Sequence, residues 1–159
     1  MSLTEPPVSP ERRRMMSSVR GKNTKPELLV RRLVHGMGYR FRLHRRELPG
    51  SPDLVFPSRR KVVFVHGCFW HQHKRCRKGT IPKTRENFWR TKLQGNSARD
   101  ERVRKNLKSM GWSCLVIWEC EMRDVDFLAR KLSRFLGAAS VRDRARHETT
   151  ERSRRRSKQ

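Results

Sequence analysis

The eleven residues His66-Gly67-Cys68-Phe69-Trp70-His71-Gln72-His73-Lys74-Arg75-Cys76 constrain this chain more than any other stretch. They hold three of its six histidines and two of its four cysteines. Thiolates and imidazoles crowded in this way suit a structural zinc ion, which takes four such donors in a closed tetrahedron. Cys68, His73 and Cys76 have suitable spacing for three ligands. A fourth must come from elsewhere, and Cys120, in Trp118-Glu119-Cys120, is the best donor. Cys114 sits in an apolar run and reads as a buried small side chain. Unmetallated core cysteines beside surface histidines are the alternative. The N-terminus, MSLTEPPVSPERRR, lacks the apolar stretch of a secretory signal, so a reducing cytosol is expected, with a metal and not disulfides.

Around this segment the apolar pattern gives an α/β order. Lys61-Val62-Val63-Phe64-Val65 is a continuous apolar run, the mark of a central strand buried on both faces. Asp53-Leu54-Val55-Phe56 reads as a short strand led by an acid, and Trp112 to Trp118 as another buried strand. Tyr39, Phe41 and Leu43 alternate with arginines, as in a half-buried strand. Thr24-Lys25-Pro26-Glu27 has capping-box spacing ahead of a stripe of Leu28, Leu29, Leu33, Val34 and Met37, and Gly38 is a natural stop. A short basic helix is expected from Ser9-Pro10-Glu11 to about Val19. Two helices are expected between the strands, Arg85 to Gln94 with Phe88 in the core, and Ala98 to Met110 with Val103, Leu107 and Met110 facing in. Asp124 to Leu136 closes the fold with Phe127, Leu128, Leu132 and Phe135 on one face. The expected fold is a mixed central sheet flanked by helices in one domain, residues 9–137. Residues 1–8 read as a flexible N-terminus and 138–159 as a disordered basic tail.

Charge narrows the partners. Forty lysines and arginines stand against fifteen acids, a formal net charge of +25. A compact body so charged repels itself unless a polyanion is near, and nucleic acid is the leading candidate. No run of eighteen apolar residues exists, so a membrane-spanning helix is not expected. If Cys68, His73, Cys76 and Cys120 hold zinc, His66 and His71 are left over. They can serve as general acid and base, or fill a supporting or packing role. Adjacent strands would bring Asp53 to the end of the Val62–Val65 strand. A carboxylate beside a strand-end carbonyl offers hard oxygens to Mg²⁺, which phosphodiester cleavage uses, although an acid at a strand start is also an ordinary turn residue. Phe69 and Trp70 in a polar loop, and Trp89 on a charged helix, can unstack DNA or simply cover the metal loop.

The run VFVHGCFWHQHKRC, the upstream LPGSPDLVF, the FW of ENFWRTKL, the acid in NSARDERV and the WEC after the last strand together resemble the Vsr family of very-short-patch-repair DNA mismatch endonucleases. The likeness covers roughly residues 10–136. It implies a fold like restriction endonucleases of the PD-(D/E)XK type with a structural zinc. It also implies a Mg²⁺-dependent nick in double-stranded DNA on the 5′ side of the thymine of a T·G mispair, which arises when 5-methylcytosine deaminates. A cytosine-5 DNA methyltransferase is the implied functional partner, and the implied setting is the bacterial cytoplasm, at the nucleoid, as a monomer. By position, Asp53 matches the Mg²⁺-binding carboxylate and Val65 the residue whose backbone carbonyl completes that site, where the family has threonine. His71 matches the general base, and His66 the group that steadies the phosphate or the leaving group. Glu27 and Asp100 match acids near the hydrated metal and the histidines. Phe69, Trp70 and Trp89 match aromatics that enter DNA from the major groove, and Met16 one that enters from the minor groove. His73-Lys74-Arg75-Cys76 is one residue longer than the family spacing. Two rivals remain, a same-fold nuclease of restriction type and a non-catalytic, zinc-stabilised DNA-binding module.

Overall fold

The computed structural model describes residues 22–43 and 45–139. The expected N-terminal helix, Met16 and nearly all of the basic tail lie outside them. The elements are α1 (Lys25–Gly36), β1 (Leu54–Phe56), β2 (Lys61–His66), α2 (Glu86–Ser109), β3 (Ser113–Trp118) and α3 (Val125–Leu136), with 3-10 turns at Pro57–Arg59, Arg77–Gly79 and Glu119–Arg123. The sheet order is β1-β2-β3. β1 runs antiparallel to β2, and β3 runs parallel to it. A parallel neighbour requires a crossover, and α2 supplies it.

β2 is central because both of its faces are covered. Val63 packs with Val30 and Val34 of α1 and with Leu128, Leu132 and Leu136 of α3. Val62 and Phe64, on the opposite face, pack with Leu107 of α2 and with Leu48 and Val55. Strand alternation thus sends successive side chains into two cores, with α1 and α3 over one and α2 over the other. α1 starts as its sequence predicts. The Thr24 side chain accepts from the Glu27 amide at 3.4 Å, its hydroxyl donates to the Glu27 carboxylate at 2.9 Å, and Glu27 accepts from the Asn23 amide at 2.8 Å. Gly38, at φ +88°, ends it. Gly50, at φ +73°, lies so close to α2 that a Cβ there would meet Val103 at 2.5 Å. That contact seats the Leu48–Pro52 turn, which delivers Asp53.

Several expectations fail for physical reasons. Residues 39–43 form no strand. Only Arg42 bridges Val55, while Tyr39 turns inward and donates its hydroxyl to the Gly137 carbonyl at 2.5 Å. The two helices after the metal loop are one helix of 24 residues. Gly95, which falls between the two expected helices, is exposed with open space where a Cβ would stand, so it costs only about 1 kcal/mol against alanine and does not break the helix. Phe88 is 41% exposed and so lies outside the core, and Phe127 at 45% and Met110 at 43% are likewise turned outward. Leu28 also leaves the inner face of α1, which Val30 takes in its place. Among the described residues no helix is long and apolar enough to cross a membrane.

Candidate active site and metal centre

Strand register assembles the site at one end of the sheet. His66 ends β2 opposite Trp118, the last residue of β3. Asp53 precedes β1, whose Leu54 pairs with Val63, so the carboxylate reaches past the ladder toward the end of β2. Its Oδ2 accepts the Val65 amide at 2.7 Å. The meeting of Asp53 with Val65 is therefore present, but through the N–H of residue 65. Burial pushes the Asp53 carboxyl up to about 6, against the Val65 hydrogen bond, which favours the ionised form. The Glu27 charge raises it further, while Arg31 and His71 lower it, so all three stand within electrostatic reach. Glu27 is 4% exposed, and its ion pair to Arg31 at 3.0 Å joins the cap bonds already described. Those bonds engage both of its oxygens and fix it beside Asp53. A buried, destabilised carboxylate with a second one alongside has the hard oxygens and negative charge that a divalent cation such as Mg²⁺ relieves.

Two imidazoles share one carboxylate, one of them within electrostatic reach of Asp53. His71 Nδ1 lies 2.5 Å from Asp100 Oδ2, and His66 Nδ1 lies 3.9 Å from the same oxygen. Burial would raise Asp100, but the His71 hydrogen bond and the nearby charges of His71, His66 and Arg104 outweigh it and hold the carboxyl below its ordinary range. Burial, with the His71 charge, pushes His66 down to about 4 and keeps it neutral near pH 7. The rings of His66 and His71 stack with centroids 3.7 Å apart and 15° between their planes. The donor atoms of His66, His71 and Asp100 lie within 4.8 Å of one another, a group of suitable types for a metal. Stacking argues against that use. The lone pairs of nearly parallel rings lie in separate planes, and one ion cannot lie in both. The arrangement suits proton transfer better, since Asp100 fixes Nδ1 of His71 as the protonated nitrogen and leaves Nε2 basic.

The second cluster is Cys68, His73, Cys76 and Cys120, whose donor atoms also lie within 4.8 Å of one another. Cys68 Sγ is 3.6 Å from His73 Nδ1, and Cys120 Sγ is 3.3 Å from it. A tetrahedral zinc with ordinary bond lengths sets sulfur–nitrogen edges of about 3.6 Å. All four cysteines are free thiols. Burial pushes Cys68 up to about 12, and it raises Cys120 as well, whereas the Lys78 amide lowers Cys76. A soft cation would displace the protons of the two raised thiols and supply the charge that burial denies them. His73 is set by stacking on Trp118 at 4.2 Å and 8°. The extra residue before Cys76 is absorbed locally by left-handed backbone at Gln72 (φ +51°) and Arg75 (φ +61°), and Cys76 stays in the cluster. Cys114 joins neither group and packs beneath α2.

Phe69, Trp70 and Trp89 also come together. Phe69 lies 5.1 Å from Trp70 and 5.4 Å from Trp89, centroid to centroid. Sequence reasoning missed two members of this patch. Phe88 joins it at 5.3 Å from Trp89, and Lys92 Nζ sits 5.6–5.7 Å from the rings of Trp70, Phe88 and Trp89. Helical spacing held the signal, since Lys92 follows Phe88 and Trp89 by four and three residues. Asn96, one turn on, donates to the Trp70 carbonyl at 3.0 Å and ties the aromatic loop to α2.

Comparison with known proteins identifies the family. The family model described as DNA mismatch endonuclease Vsr matches residues 8–78. The chain is 55% identical over 130 residues to the "Type II nicking enzyme V.XorIIP" of Xanthomonas oryzae pv. oryzae, covering 81% of this chain and 95% of that one. It is 38% identical to the "Type II nicking enzyme V.NmeAIP" of Neisseria meningitidis, over 77% of this chain and 86% of that one. It is 39% identical to the "DNA mismatch endonuclease Vsr" of Escherichia coli, over 70% and 71%. These relatives are endonucleases, which removes the non-catalytic DNA-binding module as a reading. A chain that is 55% identical to one of them over 130 residues, nearly that relative's whole length, and that gathers Cys68, His73, Cys76 and Cys120 into one cluster, belongs to the Vsr family of DNA endonucleases.

Proposed function

We propose that the protein nicks one strand of duplex DNA on the 5′ side of a thymine mispaired with guanine, in Mg²⁺, at sites served by a cytosine-5 DNA methyltransferase. The observation that carries the reading is the placing of the buried Asp53 carboxylate at the end of β2, within electrostatic reach of His71, which pairs with Asp100. Water attacks phosphorus while Nε2 of His71 takes its proton, and Asp100 steadies the imidazolium that forms. The bond from phosphorus to the 3′ oxygen of the preceding nucleoside breaks, leaving a 3′-hydroxyl and a 5′-phosphate on the thymidine side. His66, neutral and stacked on His71, offers its ring to the phosphate or the departing oxygen. Asp53, with the Val65 carbonyl and Glu27 nearby, would hold Mg²⁺, which supplies charge stabilisation at the phosphate when bound. Cys68, His73, Cys76 and Cys120 would hold Zn²⁺ as a structural ion.

Phe69, Trp70 and Trp89, with Met16 from the opposite groove, would enter the base stack. Unstacking costs a few kcal/mol, and a T·G wobble is already weakened, so opening there is favoured. Incision of end-labelled duplexes that differ only in one base pair tests the reading. A T·G duplex in Mg²⁺ is expected to give one nick 5′ to the thymine, with the matched C·G duplex intact and chelator abolishing the product. Double-strand cleavage, or equal nicking of the matched duplex, would establish the restriction-type rival instead.

A further inference from the structure

A cavity of about 490 Å³ lies between α2 and the loop that follows β2. His66, His71 and Asp100 form one wall of it, and Lys74 and Arg104 bring positive charge to it. The acids there are already engaged. Asp100 holds His71, and Glu101 pairs with Lys105 at 2.9 Å. Among the described residues neither Lys74 nor Arg104 has an ion-pair partner. Arg104 nonetheless stands close enough to both His66 and Asp100 for its charge to act on each. It follows Asp100 by four residues on α2, so the two lie on one face about 6 Å apart along the helix axis. That distance is comparable to the step from one phosphate to the next along a nucleic-acid strand. A guanidinium and an ammonium with no ion-pair partner among the described residues, in a cavity also lined by imidazoles and Ser97, recognise phosphate and not a neutral ligand.

We propose that this cavity is a subsite for a backbone phosphate of the nicked strand, adjacent to the phosphodiester that is hydrolysed, with Arg104 and Lys74 as its binding groups. The proposal rests on the reading that His71 works on DNA, but not on which mispair is chosen. The subsite fixes the strand so that the neighbouring linkage meets the Nε2 atom of His71.

The test is a scan of single methylphosphonates, each removing one backbone charge, along the nicked strand of a duplex that the wild-type protein cuts. Nicking and binding are measured for wild type, Arg104→Ala, Arg104→Lys and Lys74→Ala. At one linkage beside the nick, neutralisation is expected to raise the wild-type KM about tenfold, and Arg104→Ala is expected to raise KM equally on unmodified DNA. Arg104→Ala then loses nothing further at that linkage, its kcat stays within about twofold of wild type, and its salt slope is shallower by about one. Lys74→Ala shows the same pattern more weakly, and Arg104→Lys recovers part of the loss. Equal sensitivity of wild type and Arg104→Ala at every linkage would overturn the subsite. So would a fall in kcat at unchanged KM, which would place Arg104 with the imidazoles. Should T·G prove not to be the preferred substrate, the scan runs on whichever duplex is nicked, and the two readings stand or fall separately.

Discussion

Asp53→Asn is expected to bind duplex DNA as the parent does, to nick it about a thousandfold more slowly or worse, and to be the more stable protein when metal-free. The loss of rate follows from removing the buried carboxylate that meets the end of β2. Several kcal/mol of charge stabilisation at the phosphate go with it. The gain in stability follows from the sign of the pKa shift. The folded carboxyl titrates at about 6, above its ordinary 3.8, so the folded chain holds this proton more tightly than the unfolded one. Stability from this group is therefore highest below about pH 4 and falls as pH rises to about 6, beyond which it stays low. Asparagine carries no such charge and can still accept the Val65 amide, so it should recover about 2–3 kcal/mol at neutral pH. Thermal melting of the metal-free proteins reads this directly. Mg²⁺ should raise the melting temperature of the parent and leave that of Asp53→Asn unmoved. Parental nicking by Asp53→Asn would remove residue 53 from the reaction.

Removal of the ion proposed at the sulfur–imidazole cluster is expected to have the other large effect. Cys68 lies two residues past the end of β2, Cys120 lies in the turn after β3, and His73 and Cys76 lie in the loop after β2. The cluster is thus the fastening between the 66–79 loop and the end of the sheet. The same loop carries His71, Phe69 and Trp70. Structural zinc binding free energy is folding free energy, on the order of 10 kcal/mol, against a total stability of about 5–15 kcal/mol for a domain. Cys68→Ser or Cys120→Ser should accordingly lose the metal, as read by elemental analysis. Each should lose its cooperative melt and nick no DNA even with Asp53 intact. One tightly held ion per chain and an unchanged melt in Cys120→Ser would take Cys120 out of the ligand set.

The site was more legible in the sequence than the fold around it. Ligand chemistry is local. Cys68, His73 and Cys76 are spaced within nine residues, and zinc's need for a fourth donor singled out the cysteine just past the last strand. Asp53 could be placed because an acid leading a short strand must reach the end of its antiparallel neighbour. What periodicity could not reveal was competition between partners. Residues 39–43 alternate like a strand, but Tyr39 gains more by turning into the core and bonding Gly137, and only Arg42 is left at the sheet edge. Gly95 looks like a helix break, yet a glycine on an exposed face costs too little to stop a helix fixed at both ends by Leu93 and Leu107. Phe88 looks like core because it is large and apolar. Its neighbours are Trp89 and the Lys92 ammonium, on a surface that the resemblance to a DNA enzyme had assigned to Phe69, Trp70 and Trp89 without it. Arg104 was hidden among forty basic residues. Only its placement opposite His66, without an acid of its own, distinguishes it.

The central claim is that a cation held at Asp53 and the basic nitrogen of His71 serve one phosphodiester, while His66, His71 and Asp100 hold no metal themselves. Anomalous scattering from Mn²⁺ soaked into crystals of the protein with an uncleaved duplex measures this most directly. The account predicts a manganese peak at the Asp53 carboxylate, a scissile phosphate beside it, and the His66–His71 stack intact and free of metal. A peak among His66, His71 and Asp100, or a phosphate out of reach of His71 with no metal at Asp53, would contradict it.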